Sequence, residues 1–342
     1  MSETPIKYGY DWEDLAGSHR EIGIQHGRDN DGRMRYLLEA FRVNLGAPWK
    51  EAEFLAPLAR HLPGLAEEIH GIAEGSGLSL REVCALSFLV DLGTAGSACT
   101  GVVFADGPDG PVVGKTSDCT PGIQQEWLRP RWVRPQGEFA AITHSQVGSP
   151  NAEMGMNEKG LAIGISGMPS RDVDRQGVGW QQDIRGVLHA CATTAEAIAM
   201  LRRIPIRRAG YALVIADAAG DVAVVEKVVG AVAVRRPEHN VVYEANIARC
   251  PEVLPHIDPS WGGENGHQRT ALLDRLCRDQ NWPDFSLQGM IDLFSTHAEP
   301  VGLCQHGPQL HSQTGFFMLP RRQELHLVRG YTCQRNIEVV RF

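Results

Sequence analysis

The chain has no apolar run near the roughly 20 residues of a bilayer-spanning helix, no cluster of basic residues and no Cys-x-x-Cys pair. The first absence excludes a transmembrane helix. The second, with 33 Lys and Arg against 41 Asp and Glu and a net charge of −8, argues against nucleic acid or an anionic membrane as partner. The opening stretch, MSETPIKYGYDWEDLAG, is polar and acidic. It lacks the charged, then apolar, then small-residue order of a secretory leader, so a cytoplasmic protein is expected. There is no internal repeat, no low-complexity segment and no linker rich in Pro, Gly or Ser, so one structural domain is expected. The eight cysteines, at 84, 99, 119, 191, 250, 277, 304 and 333, read as reduced and mostly buried thiols, with one or two left for chemistry.

The 342 residues, 43% of them hydrophobic, suffice for a sizeable core. Residues 1–98 read as helical. Apolar residues return at helical spacing over Ser18–Glu39, Pro57–Ala73 and Ser79–Leu92. Ser79-Leu-Arg-Glu82 is a capping box, and Gly75, Gly77, Gly93 and Gly96 punctuate the pattern. At Cys99 the period changes to that of strands. Cys99–Phe104 and Pro111–Thr116 flank a turn at Gly107-Pro-Asp-Gly110, a hairpin signature. Further strands are expected within Met154–Leu161, at 211–217, 222–229 and 241–246, and at Thr314–Leu319 and Glu324–Val328. Helices are expected at 181–202, 267–279 and 286–294. Many short strands with helices in separate runs give an α+β fold.

Cys99 stands first in a strand, after the small-residue loop Gly93–Ala98. A thiol there can attack the preceding carbonyl, shift the acyl group to sulfur and let water release a new N-terminus. The freed residue then carries nucleophile and base together, since its α-amine has an ordinary pKa of about 8. Read alone, the position is more often that of a buried strand cysteine. Asp118, at the end of the return strand, can orient the amine or simply cap a turn. Asn246, after the strand ending at Ala245, can donate to an oxyanion or serve as a turn residue. Lys115, three residues before Asp118, either depresses the thiol pKa or faces solvent. Trp127 and Trp132 are placed in a loop, lining an acyl pocket or packing in the core. Cys304-x-His306 with His311 hints at a metal, but its spacing is irregular and supplies no fourth ligand, so no metal is expected.

Taken in order, these features resemble the isopenicillin-N acyltransferase family of N-terminal-nucleophile (Ntn) hydrolases and, more distantly, choloylglycine hydrolase. The resemblance runs through Glu21-Ile-Gly-Ile-Gln-His-Gly27, Glu68-Ile-His-Gly-Ile-Ala-Glu-Gly75, Cys99-Thr100, Gly114 to Asp118, Gly155-Met-Asn-Glu-Lys-Gly-Leu161 and Ala245-Asn246. It continues through Ser260-Trp261 with His267-Gln-Arg269, and Leu303-Cys-Gln-His306. It implies a four-layer αββα sandwich of two stacked antiparallel sheets. It implies a precursor cut between Ala98 and Cys99, giving a small chain 1–98 and a catalytic chain 99–342 that stay associated. The implied chemistry is hydrolysis of, or acyl transfer from, small linear amides or N-acyl substrates through a thioester, without cofactor. In this reading Cys99 is nucleophile, Asp118 orients its amine and Asn246 is the oxyanion donor. Three positions depart from the family pattern, Thr116, Ser166 and Gln305, so the pocket is not the usual one. With Lys115, Trp127 and Arg269 they form the candidate substrate or electrostatic set. The competing reading is a non-catalytic binding or scaffold protein on the same fold, and the oligomeric state is open.

Overall fold

The computed structural model describes residues 11–92, 98–119, 124–258, 263–279, 282–307 and 310–342. The expected loop at 93–97 and the Ser260-Trp261 pair lie outside them. In chain order the elements begin with β1 (Glu13–Gly17), α1 (His19–Ala40), α2 (Ala52–His61), α3 (Pro63–Ser76) and α4 (Leu80–Ser87). Then come β2 (Ala98–Phe104), β3 (Val112–Cys119), α5 (Gln124–Trp127), β4 (Leu128–Pro135), β5 (Ala141–Gln146), β6 (Met154–Asn157) and β7 (Ala162–Pro169). Next are α6 (Gln182–Ala190), α7 (Thr194–Arg203), β8 (Ala209–Ala216), β9 (Val222–Val228), β10 (Ala231–Arg235) and β11 (Val241–Glu244). The chain closes with α8 (Glu264–Leu273), α9 (Leu287–Phe294), β12 (His311–Leu319), β13 (Glu324–Arg329) and β14 (Ile337–Arg341).

The strands form two sheets, one ordered β1-β4-β5-β6-β7-β8-β9-β10 and the other β11-β2-β3-β12-β13-β14. Every pairing is antiparallel except β1 with β4. Because side chains alternate across a strand, each sheet has two apolar faces to cover. The inner faces meet in one core, with Val103, Val113, Phe316 and Met318 against Ile142, Met154, Val214 and Val224. On the outer face of the larger sheet, Ile163, Leu213 and Val225 pack on Ile184 and Leu188 of α6 and Leu201 of α7. On the outer face of the smaller sheet, Val102, Val112 and Phe317 pack on Leu273 of α8 and Met290 and Phe294 of α9. The result is the expected α+β sandwich in four layers, αββα.

The N-terminal helices add a further core built around Leu58, Ile69, Ile72 and Val83. Helices α1 and α3 meet along a glycine seam, Gly23 and Gly27 against Gly71 and Gly75. A methyl group at any of the four would fall within the backbone of the facing helix. Two of the sequence motifs therefore mark the close approach of two helices. The segment before Ala98 is not wholly helical, because β1 joins the larger sheet beside β4. The helix expected at 181–202 is two, broken where Thr193 caps α7 with Glu196. The supposed loop around Trp127 and Trp132 is instead α5 and β4.

Candidate active site

The site forms at the head of β2. Val103 faces the sheet–sheet core while Val102 and Phe104 face the outer helices, so Cys99 and Gly101 point inward and Thr100 outward. By the same alternation on β3, Lys115 and Ser117 point inward, Thr116 and Asp118 outward. The register sets Cys99 opposite Ser117, and Asp118 opposite Ala98.

On the inner face, the thiol of Cys99 lies 3.4 Å from Glu153 Oε1. Ser117 Oγ donates to the same oxygen at 2.7 Å, and Lys115 Nζ is 3.6 Å from it. His144 Nδ1, from β5, stands 3.3 Å from the other carboxylate oxygen. Beside this group, Ser166 Oγ of β7 donates to Glu244 Oε1 of β11 at 2.7 Å. All of these side chains are buried. Burial would push Glu153 up, but Lys115, His144 and Ser117 outweigh it and hold its pKa at about 2. Burial pulls Lys115 down, yet Cys99, Glu153 and Glu244 together keep it above its ordinary value. Burial pushes the Cys99 thiol up to about 12, with Lys115 opposing, and Glu244 up to about 7. The uncut chain thus holds a neutral thiol between an ionised carboxylate and an ammonium.

On the other face, Asn246 is the first residue past Ala245 and sits in the left-handed region at φ 65°. Its Oδ1 accepts the backbone N–H of Cys99 at 2.9 Å, and its Nδ2 donates to Gly167 O at 2.9 Å. Arg269 of α8 is buried and donates to the carbonyl of Cys99, to Thr100 Oγ1 at 2.9 Å and to Asn246 Oδ1 at 3.0 Å. Asp118 Oδ1 accepts Ser312 Oγ at 2.6 Å, while its Oδ2 is buried with no hydrogen-bond partner among the described residues. Burial raises the Asp118 pKa above its ordinary value, against Arg269 and Ser312.

The structure therefore gathers Ala98, Cys99, Lys115, Asp118, Asn246 and Arg269 around one peptide bond, with Ser166 alongside on Glu244 and Thr116 opposite Thr100. The other two expected residues lie further from that bond. Trp127 is buried in the N-terminal core, its ring edge-on to Phe41 at 5.1 Å, and it packs there. Gln305 meets the site through its backbone N–H, which donates to Ser312 Oγ at 2.8 Å, and through its side chain, which bonds Gly302 O and Asn265, whose Oδ1 accepts Arg269 Nε at 2.7 Å. The sequence reading missed Glu153, Ser117, His144 and Glu244. Ser117 and Glu244 were findable, since they share the inward face with Lys115 and with Val242, and a polar residue there needs a partner. Glu153 lies in a bend before β6, where no periodicity points it inward.

The layout is an αββα sandwich with one buried cysteine peptide unit held between its sheets. Residues 105–258 match the family model described as Acyl-coenzyme A:6-aminopenicillanic acid acyl-transferase, which bears out the resemblance read from the sequence. Among solved structures, the chain is similar to penicillin V acylase from Agrobacterium tumefaciens at 15% identity, covering 68% of this chain and 83% of that one, with a TM-score of 0.41. It is similar to a mutant of conjugated bile acid hydrolase from Clostridium perfringens at 13% identity, covering 71% and 92%, with a TM-score of 0.41. It is also similar to the Caenorhabditis elegans ortholog of N-acylethanolamine-hydrolyzing acid amidase at 14% identity, covering 65% and 93%, with a TM-score of 0.45. No curated protein matches. No helix among the described residues is long and apolar enough to cross a membrane.

Proposed function

We propose that the chain is the precursor of a cysteine amidohydrolase or acyltransferase that frees Cys99 by cutting its own Ala98–Cys99 bond and then acts on small linear amides. The observation that carries this reading is the clamp on one peptide unit. Asn246 and Arg269 hold the backbone of Cys99 on one side while Lys115 and Glu153 flank its thiol on the other. Burial of four such groups around an ordinary core cysteine would be costly.

In the cutting step, Glu153 accepts the thiol proton, and Lys115 stabilises the sulfur as it gains charge. The sulfur attacks the Ala98 carbonyl carbon, the Ala98–Cys99 C–N bond breaks, and the departing nitrogen takes that proton back from Glu153 to become the α-amine. Water hydrolyses the resulting thioester. Asp118, paired across from Ala98, orients the new amine. In turnover the neutral α-amine takes the thiol proton and returns it to the leaving amine, and water or a second amine releases the acyl group. Asn246 serves the oxyanion with an N–H beyond the one given to Gly167, since an amide carries two. The cut protein works as two associated segments, 1–98 and 99–342.

Intact mass spectrometry tests the proposal. Two species, ending at Ala98 and beginning at Cys99, are expected. A protein that stays whole after long incubation, with no release of amine from any N-acyl amine or N-acyl amino acid, refutes it.

A further inference from the structure

On the Asp118 side of the active site, the chain closes three segments on one another. The first follows α9 and carries His297; the second is the loop with Cys304 and His306; the third is the turn between β13 and β14 that carries Cys333. One ligand atom from each of these four side chains lies within 4.8 Å of every other. The nitrogen His306 Nε2 stands 3.4 Å from the thiol of Cys304 and 3.4 Å from that of Cys333. A tetrahedral zinc ion, with bonds of about 2.3 Å to sulfur and 2.0 Å to nitrogen, holds such atoms about 3.5 Å apart.

We propose that His297, Cys304, His306 and Cys333 form a Cys2His2 site for a zinc ion. Two soft thiolates and two imidazoles are the donor set that zinc takes in closed structural sites, and it does not suit magnesium or calcium. The surrounding contacts orient the donors. The His306 ring stacks on Tyr331 at 3.8 Å, and the Tyr331 hydroxyl bonds His311 Nδ1 at 2.8 Å. His311 is thus an outer support, and the two ligands absent from the sequence pattern are His297 and Cys333, the latter 27 residues beyond His306. Binding releases the two thiol protons as the two sulfur–zinc bonds form, with no change of oxidation state. The ion would pin the loop whose next residue, Gln305, holds Ser312, and Ser312 in turn bonds Asp118.

The test is the metal content of full-length protein purified under reducing conditions, without chelator or metal-affinity resin, then dialysed against metal-free buffer. About one zinc per chain is expected by elemental mass spectrometry. The stripped protein is then titrated with cobalt, which should give thiolate-to-cobalt charge-transfer absorption and the strong visible bands of a tetrahedral ion. Cys333→Ser and His297→Ala should each weaken cobalt binding by more than the roughly hundredfold that loss of an outer hydrogen-bond partner costs a metal site. Cys250→Ala, at a cysteine outside the set, should leave it unchanged. Wild-type protein without zinc and without cobalt absorption would overturn the proposal. So would equal binding by Cys333→Ser, or a Cys304–Cys333 disulfide in the reduced preparation.

Discussion

Glu153→Gln is the substitution that most directly separates this account of the site from a merely structural one. The carboxylate is buried, and its pKa falls from an ordinary 4.5 to about 2 on folding. Each pKa unit is about 1.36 kcal/mol, so the ionised group contributes about 3 kcal/mol of stability near neutrality. Because the folded pKa is the lower one, that contribution is complete above about 4.5 and is lost as pH falls towards about 2. At roughly 2.1 cal/mol/K per residue, a domain of this length loses about 4 °C of melting temperature for 3 kcal/mol. Glutamine keeps the shape but accepts no proton from the Cys99 thiol, and it leaves the Lys115 ammonium with only the more distant carboxyl groups of Glu244 and Asp118. Self-cutting should therefore slow by at least about a hundredfold, the lower end for loss of a general base. The assay is a denaturing-gel time course at 25 °C, paired with calorimetry at pH 7 and pH 4. The stability gap should be full at pH 7 and narrower at pH 4. Wild-type cutting in a variant of lowered melting temperature would leave Glu153 a structural ion only. An unchanged melting temperature would refute the electrostatic argument as well.

Cys99→Ala should remain one full-length chain on a denaturing gel under conditions in which the wild type yields two. Asn246→Ala should lower kcat by about a hundredfold or more, with a smaller change in KM, because an oxyanion donor acts mainly in the tetrahedral state; near-normal steady-state kinetics would remove it from that role. Gln305, joined through Asn265 to Arg269 at the edge of the site, adds no fixed positive charge of its own for a substrate carboxylate. The enzyme should therefore turn over N-acyl amines with higher kcat/KM than the matching N-acyl amino acids, and a clear preference for the acids in a paired screen would refute this.

The layered fold was legible because its signals are local. The change of period at Cys99, the hairpin turn at 107–110 and the capping box at Ser79 each depend on a few adjacent residues, and each appears where expected. Strands β4 and β5 were not legible. Leu128–Pro135 carries arginines and prolines along a strand in which Arg129 and Arg131 are buried, so no apolar alternation marks it. Arg131 is tolerated there because Glu13 lies 2.6 Å from its Nε, a partner 118 residues away that no local pattern reveals. The site divides in the same way. Cys99, Asp118 and Asn246 sit at strand ends, where short motifs mark them, whereas Glu153 is brought to the thiol by the stacking of two sheets. The metal-type cluster was half visible, since Cys304-x-His306 is local and Cys333 arrives from another hairpin.

The place of β1 bears on what the protein becomes after it is cut. The strand pairs with β4 over five residues, and its Glu13 also bonds His26 of α1. Severing the Ala98–Cys99 bond would turn that pairing into a subunit interface without moving an atom of it. Folding would cease to be unimolecular. The uncut precursor should refold at a rate independent of dilution, whereas the two separated pieces must find each other. The processed protein should show a melting temperature that rises with its concentration, as an obligate heterodimer does. The first 98 residues would then act as a template used once: covalently attached while the sandwich assembles, and afterwards a subunit that the enzyme cannot readily replace.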